Sequence, residues 1–342
     1  MAPWLLMAAH APHRILQTLR RRWPLIIAVA AVGGIVVAVN PRDVAGALRS
    51  VDLPLLVPVV LLTLLALVLQ GARWHFLLAA VGARLSLVDS VLLSIAGQGI
   101  TAVLPLGDLT RAVFASEVTD VPFADVIATV TVQELTFILL LLVSAGPVVL
   151  ERHQAAGAEI VALLGVVAIC VILLVPAVFH QVHRAVSHTP VLRRFVVQID
   201  ELRDETVRLL HHRGTMAWAL LDLARVLVSI TAFWLLVVAV APGSIGWASA
   251  AFVLALSYVG GAISLVPGGL GANEASVVGL LVLVGVHPAA AAAIAVLQRA
   301  ISSGSAIVFA LVAYALARRR HPQLSSLTSI RRPQPVSGAV SG

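Results

Sequence analysis

The chain is written as a succession of apolar runs, at about 24–40, 54–79, 88–106, 123–150, 158–180, 214–242, 247–266, 273–285 and 289–317. A helix needs about 20 apolar residues to cross about 30 Å of hydrocarbon, and several of these runs approach or exceed that length. Backbone in lipid has no water to bond, so such runs must satisfy their own N–H and C=O groups as helices. The residues are 60% hydrophobic and 11% charged, where soluble domains are nearer half apolar and a quarter charged. An ordinary soluble globular domain is excluded. The expected fold is an all-α polytopic membrane protein with about six to eight transmembrane helices.

Charge then sets the expected topology. All 23 basic residues are arginine, and the formal net charge is +7. A lysine-free chain rich in Ala, Val, Leu and Gly is what GC-rich coding gives, which points to a bacterium and its cytoplasmic membrane. Arginines gather in three places: Arg14 and Arg20–Arg22; Arg184, Arg193, Arg194, Arg203, Arg208 and Arg213; and Arg318–Arg320. The positive-inside rule puts all three in the cytoplasm, both termini included. They read as topology marks and contacts for anionic lipid headgroups. Basic residues are not interleaved with aromatics as nucleic-acid binding would ask. The basic N-terminal cluster precedes an apolar run with no small-residue cleavage site, so an uncleaved first helix is expected. Cys170 is the single cysteine, inside an apolar run, so no internal disulfide forms.

Three cytoplasmic marks demand an even number of crossings before residue 181 and after 213. Five apolar runs precede 181, so one is not a full span. The run 88–106 holds Gly97, Gln98, Gly99 and Pro105 and ends at Asp108. It is expected to enter from the cytoplasm and turn back, with 107–118 as the return limb. After 213, the runs 247–266 and 273–285 either both cross or both form a hairpin. The 13 residues of 273–285 would cover only about 20 Å as a helix, which favours the hairpin. The expected organisation is a basic cytoplasmic tail (1–23), a first membrane half (24–180) broken near 105–108, a cytoplasmic linker (181–213), a second half (214–318) broken near 267–274, and a disordered tail (319–342). Within the linker, Thr189-Pro190 is a helix-start pair. Leu192, Phe195, Val196, Ile199 and Leu202 follow at helical spacing, as on a surface-lying amphipathic helix or a solvated linker helix.

The two broken runs match each other. Ser94, Gly97, Ile100 and Thr101, then Pro105 and Gly107, align with Ser257, Gly260, Ile263 and Ser264, then Pro267 and Gly268. Asp108 and Glu274 follow the breaks; Arg73 and Arg225 lie on the preceding helices, and Glu134 and Arg299 on the following ones. The halves would be inverted copies with one re-entrant hairpin from each face, the pattern that points to a transport site near the midplane. Glu134, Asp222, Arg225 and Arg299 sit well inside apolar runs. Unpaired, these four groups would oppose insertion by roughly 10 kcal/mol. They must pair or face water: as structural salt bridges, or around a cavity. Asp222 and Arg225 are three apart and can pair within one helix; Glu134 and Arg299 are expected to meet or share a cavity. The stretch GGLGANE is no dinucleotide fingerprint, since no strand precedes it and the third glycine is missing. It reads as a turn opening a helix capped by Asn273, with Glu274 as helix-start stabiliser and arginine partner.

The stretches LPLGDLTR (104–111), SLVPGGLGANEA (264–275) and VLQR (296–299), with Arg73-Trp74, resemble the flippase-like membrane region of the lysylphosphatidylglycerol synthase family over roughly 24–318. The resemblance implies lipid translocation, with aminoacylated phosphatidylglycerol the cargo of the full-length synthases, and two re-entrant elements. It carries functional weight onto Pro105, Gly107, Asp108, Arg111, Pro267, Gly268, Gly269, Gly271, Glu274 and Arg299. The family often has a Glu-Arg pair followed by Asp in the helix after the first break; here QELTF (133–137) keeps Glu134 alone. No aminoacyl-transferase domain follows, so synthesis of the aminoacylated lipid is not expected.

Two functions compete. One is translocation of an anionic phospholipid or lipid-linked glycan without a cofactor, on Arg73, Asp108, Arg111, Glu134, Arg225, Gly268, Gly269, Gly271, Glu274 and Arg299. The other is a non-catalytic membrane subunit that positions a lipid-modifying enzyme or glycosyltransferase. An embedded lipid-phosphate enzyme ranks below both: His211-His212 has no matching carboxylate set, and metal-ligand spacing is missing.

Overall fold

Proline and glycine punctuate the apolar runs, and the helices begin and end there. A computed structural model describes residues 41–101, 107–151, 175–187, 218–264 and 269–322, with scattered positions between 157 and 209 and Leu324. Eleven α-helices and one π-helical segment occur among the described residues, and no strand. They are α1 (Pro41–Arg49), α2 (Leu53–Ala80), α3 (Leu87–Thr101), α4 (Gly107–Thr119), α5 (Phe123–Glu151) and α6 (Pro176–Ser187). After the linker come α7 (Ala219–Val240), α8 (Trp247–Ile263), α9 (Ala272–Leu283), α10 (Pro288–Arg299), the π segment Ala300–Ser305 and α11 (Ala306–Arg320). On either side of the break expected in the 88–106 run, α3 ends at Thr101 and α4 begins at Gly107. Residues 102–106 and 265–268, the centres of both breaks, lie outside the described residues, as do the N-terminal 40 residues, the proposed linker helix from Thr189 to Leu202 and the C-terminal tail beyond 324.

Among the described residues, four continuous helical stretches are long and apolar enough to cross a membrane: Leu53–Ala80, Phe123–Val148, Ala219–Val240 and Pro288–Arg320. The helices α3, α4, α8 and α9 have 15, 13, 17 and 12 residues. At 1.5 Å per residue, each covers less than about 30 Å of hydrocarbon. The outer face of α2 presents Leu53, Val57, Leu61, Leu65 and Val68 at helical spacing, and Leu61 is 59% exposed. A solvated helix would not leave that stripe uncovered; against lipid it needs no partner.

Hydrogen bonds fix how the spans run. The Asp52 N–H donates to the Ala239 carbonyl at 2.9 Å, and Arg73 reaches Asp222 at 2.9 Å, so α2 and α7 are antiparallel. Phe76 stacks on Trp218 with ring centroids 3.7 Å apart at the same end. The helix α3 runs antiparallel to α11: Asp89 pairs with Arg320 at 2.6 Å, and Gly99 lies against Ala310. The helix α8 packs on α5. One buried core surrounds α3, α4 and the start of α5, with Trp74, Leu93, Phe114 and Val132 in it. A second surrounds α7 to α10, with Phe137, Phe233, Phe252 and Leu281.

Three elements differ from the sequence reading. The segment 41–53 was expected to be a short loop, yet it holds α1, whose Val44, Ala47 and Leu48 pack on the second core. Three apolar residues on one face are enough for a short amphipathic helix but not for an apolar run. The run 158–180 does not continue unbroken to its end: Val175 is non-helical and Pro176 opens α6, because proline has no N–H and suits a first helical turn. The run 289–317 is interrupted by the π segment, directly after Arg299.

Candidate functional site

Among the described residues, the charges singled out in the sequence fall into three ion-pair sets. The first joins α2 to α7. Arg73 Nε donates to Asp222 Oδ2 at 2.9 Å, and the two side chains are 1% and 0% exposed. Asp222 therefore does not pair with Arg225 inside α7, as its spacing suggested. Arg73 comes to Asp222 because α7 turns that face to α2, and a cross-helix partner reaches a carboxylate that its own helix neighbour must bend to meet.

The second set centres on Glu134. Arg111 Nη2 and Gln70 Nε2 donate to Glu134 Oε1 at 2.9 and 3.1 Å, and Arg225 Nη1 lies 3.5 Å from the same oxygen. Arg111 Nη1 also donates to Gln133 Oε1 at 2.9 Å, while Gln133 Nε2 donates to the Gln70 carbonyl at 2.7 Å. Arg111 lies 5.4 Å from the Trp74 ring centroid, and the Trp74 indole N–H donates to Thr129 at 2.8 Å. One carboxylate thus ties α2, α4, α5 and α7 together. The expected meeting of Glu134 with Arg299 does not occur: Glu134 is spent on Arg111 and Arg225. Gln70 and Gln133, both buried, were missed from the sequence; an amide inside an apolar run is the signal they gave.

The third set is Glu274 with Arg299, at 3.2 Å. The cap of α9 is Gly271, not Asn273. Its φ of +80° lies in the left-handed region that glycine adopts without strain. The Gly271 N–H donates to Glu274 Oε2 at 2.6 Å, one arm of a capping box, while Oε1 faces Arg299. Glu274 therefore does both jobs expected of it, helix start and arginine partner. Gly269 has φ +63°, in the left-handed region that suits glycine, and a Cβ there would stand 3.3 Å from the Gly261 Cα. Pro105, Pro267 and Gly268 and the side chain of Asp108 lie outside the described residues.

Between these sets lies a cavity of about 290 Å³ lined from α2, α3, α5, α7, α8, α10, the π segment and α11. Its lining includes Gln70 of α2, Arg225 of α7 and Arg299 before the π segment, all inside long apolar helical stretches. Among the sequence-identified charges, Arg225 and Arg299 line it; Arg73, Arg111, Glu134 and Glu274 do not. Both cavity arginines belong to the second half, whereas the candidate arginines came from both halves, and the first half contributes Gln70 and Gln98. Arg225 stacks on Phe137, 3.9 Å from the ring centroid. A π segment directly after Arg299 shifts the following turn, and Ser302 and Ser303 from it line the cavity. Such bulges recur at functional sites in helices.

Long apolar helices, paired charges inside them and a cavity that holds both polar and apolar side chains define an all-helical, multi-pass membrane protein. The model of the lysylphosphatidylglycerol synthase TM region matches residues 25–313, and the chain belongs to that flippase-like membrane family. No curated protein matches it.

Proposed function

We propose that the protein moves a lipid with an anionic headgroup, a phospholipid or a lipid-linked glycan, between the leaflets of a bacterial cytoplasmic membrane, with both termini in the cytoplasm. The observation that carries this is the mid-span cavity lined by Arg225 and Arg299. Cationic side chains at that depth cost about 2.5–3.5 kcal/mol each on insertion scales and mark substrate paths. Arg73 and Arg111 serve the frame: both are sealed in buried pairs.

The halves are inverted copies, each with a re-entrant hairpin, and three features support this. α3 packs on the last helix of the second half, α11, and α8 on the last long helix of the first, α5. Gly97 lets Arg111 of α4 approach, and its aligned partner Gly260 lets Ser276 of α9 approach, each the fifth residue of its return limb. The return limbs are tied to the following helix by one ion pair each, Arg111–Glu134 and Glu274–Arg299, with the signs exchanged.

The test is leaflet exchange of fluorescent phosphatidylglycerol in vesicles reconstituted with the purified protein, read by a membrane-impermeant quencher. Quenching beyond the outer-leaflet share is the expected result. Traces that match protein-free vesicles across several anionic lipids would remove the proposal.

A further inference from the structure

The continuous helical stretch Pro288–Arg320 passes from one core to the other, and the π segment lies at the passage. Ahead of it, Ile294 and Ala295 of α10 belong to the core of α7 to α10, with Leu297 packed against it. Beyond it, Ala313 and Ala317 of α11 belong to the core around α3 and α4. Two points fix α11 to α3: Gly99 admits Ala310, and Asp89 holds Arg320. The segment between is soft. None of its residues is buried, and a Cβ on Gly304 would meet nothing within 4 Å. Ser302 and Ser305 donate their hydroxyls to the carbonyls of Arg299 and Ile301. Glycine is a poor helix former, and back-bonded serines bend helices. The helices α2 and α5 pass between the same cores near Thr63 and Thr136, whose hydroxyls back-bond to Val59 and Val132 at 2.8 Å.

Arg299 stands directly before the soft segment. It lines the cavity and meets Glu274 of α9 at 3.2 Å, so this ion pair holds the helix to the second core just ahead of the joint. The cavity lies across the joint: Ser229 of α7 and Leu254 of α8 line one side, Leu67 of α2 and Gln98 of α3 the other. Arginine binds phosphate as readily as carboxylate, and a phosphate in the cavity would compete with Glu274 for Arg299.

We propose that α11 and α3 swing as one body about the π segment, that the Arg299–Glu274 pair clamps this swing, and that a lipid phosphate taking Arg299 releases it. This rests on the reading that the cavity receives lipid headgroups, and adds how the arrival of one opens its path.

Spin labels on Leu283→Cys and Leu316→Cys, exposed positions of α9 and α11, report the swing as a distance in the purified full chain with Cys170→Ser. Glu274→Gln keeps an acceptor for the Gly271 N–H but loses the charge that holds Arg299. It should shift the distance by at least about 2 Å. Deleting Gly304 takes one residue out of the π turn and restores α-helical register. In that background the shift should vanish, and leaflet exchange should slow by at least about tenfold with no fall in unfolding temperature. Gly304→Ala stiffens the segment at unchanged chain length and should at least halve the shift, so the test stands even if the deletion does not fold. An unchanged distance in Glu274→Gln, a shift that persists in full in either Gly304 variant, or wild-type exchange in the deletion overturns the proposal. Leaflet exchange by the wild-type chain without a shift in Glu274→Gln keeps the translocation reading and removes the swing; a shift without exchange does the reverse.

Discussion

Glu134 and Asp222 show how single carboxylates govern the frame. Removing one partner of a buried pair leaves the other charge uncompensated, at a cost of about 3–5 kcal/mol. Asp222→Asn should therefore destabilise the protein by about that amount in detergent, read by thermal unfolding, because Arg73 is 1% exposed and has no other ion-pair partner among the described residues. The double variant Arg73→Gln with Asp222→Asn should recover much of the loss, since the two positions are coupled. Additive losses would mean that the pair is not what stabilises α2 against α7. Sequence made these charges visible as costly residues in apolar runs, but not their partners. Asp222 and Arg225 sit at pairing distance along one helix, yet each turns to another helix. Rotation of α7 about its axis decides that, and α2 and α5 set the rotation.

At the level of elements, the breaks were legible because Gly and Pro in an apolar run leave few alternatives to a turn. The limb lengths followed from them, and α3, α4, α8 and α9 end within a few residues of the expected bounds. The helix α1 and the π segment were not legible. The first is too short to form an apolar run, and the second changes hydrogen-bond register without changing residue type. Small residues carry the close crossings that the limbs need. A Cβ built on Gly99 would stand 2.1 Å from the Ala310 Cβ, so Gly99→Val should push α3 from α11 and cost about 1–3 kcal/mol. Ala310→Gly in the same chain should return part of that stability. Unchanged unfolding of Gly99→Val would show that the two helices do not pack there. The Asp89–Arg320 pair, at 2.6 Å, ties the same two helices at their ends.

Across the whole molecule, the proposed inverted arrangement predicts which loops share a side. In a Cys170→Ser background, Arg84→Cys and Asp120→Cys, which flank the first hairpin, should react with an impermeant thiol reagent only from the cytoplasmic face. Ser244→Cys and His287→Cys, which flank the second, should react only from the opposite face. Reaction of residues 84 and 120 from different faces would mean that α3 and α4 together make a single crossing and not a hairpin. The central claim is that a headgroup passes through the cavity beside Arg225, and the initial rate of leaflet exchange of fluorescent phosphatidylglycerol in vesicles tests it most directly. Wild-type protein, Arg225→Gln and Ser229→Leu are compared at equal protein per vesicle, with Ser229→Leu first shown to unfold at the wild-type temperature. The account predicts that both variants slow exchange by at least about tenfold, a barrier change of about 1.4 kcal/mol or more. Wild-type exchange rates in both would contradict it.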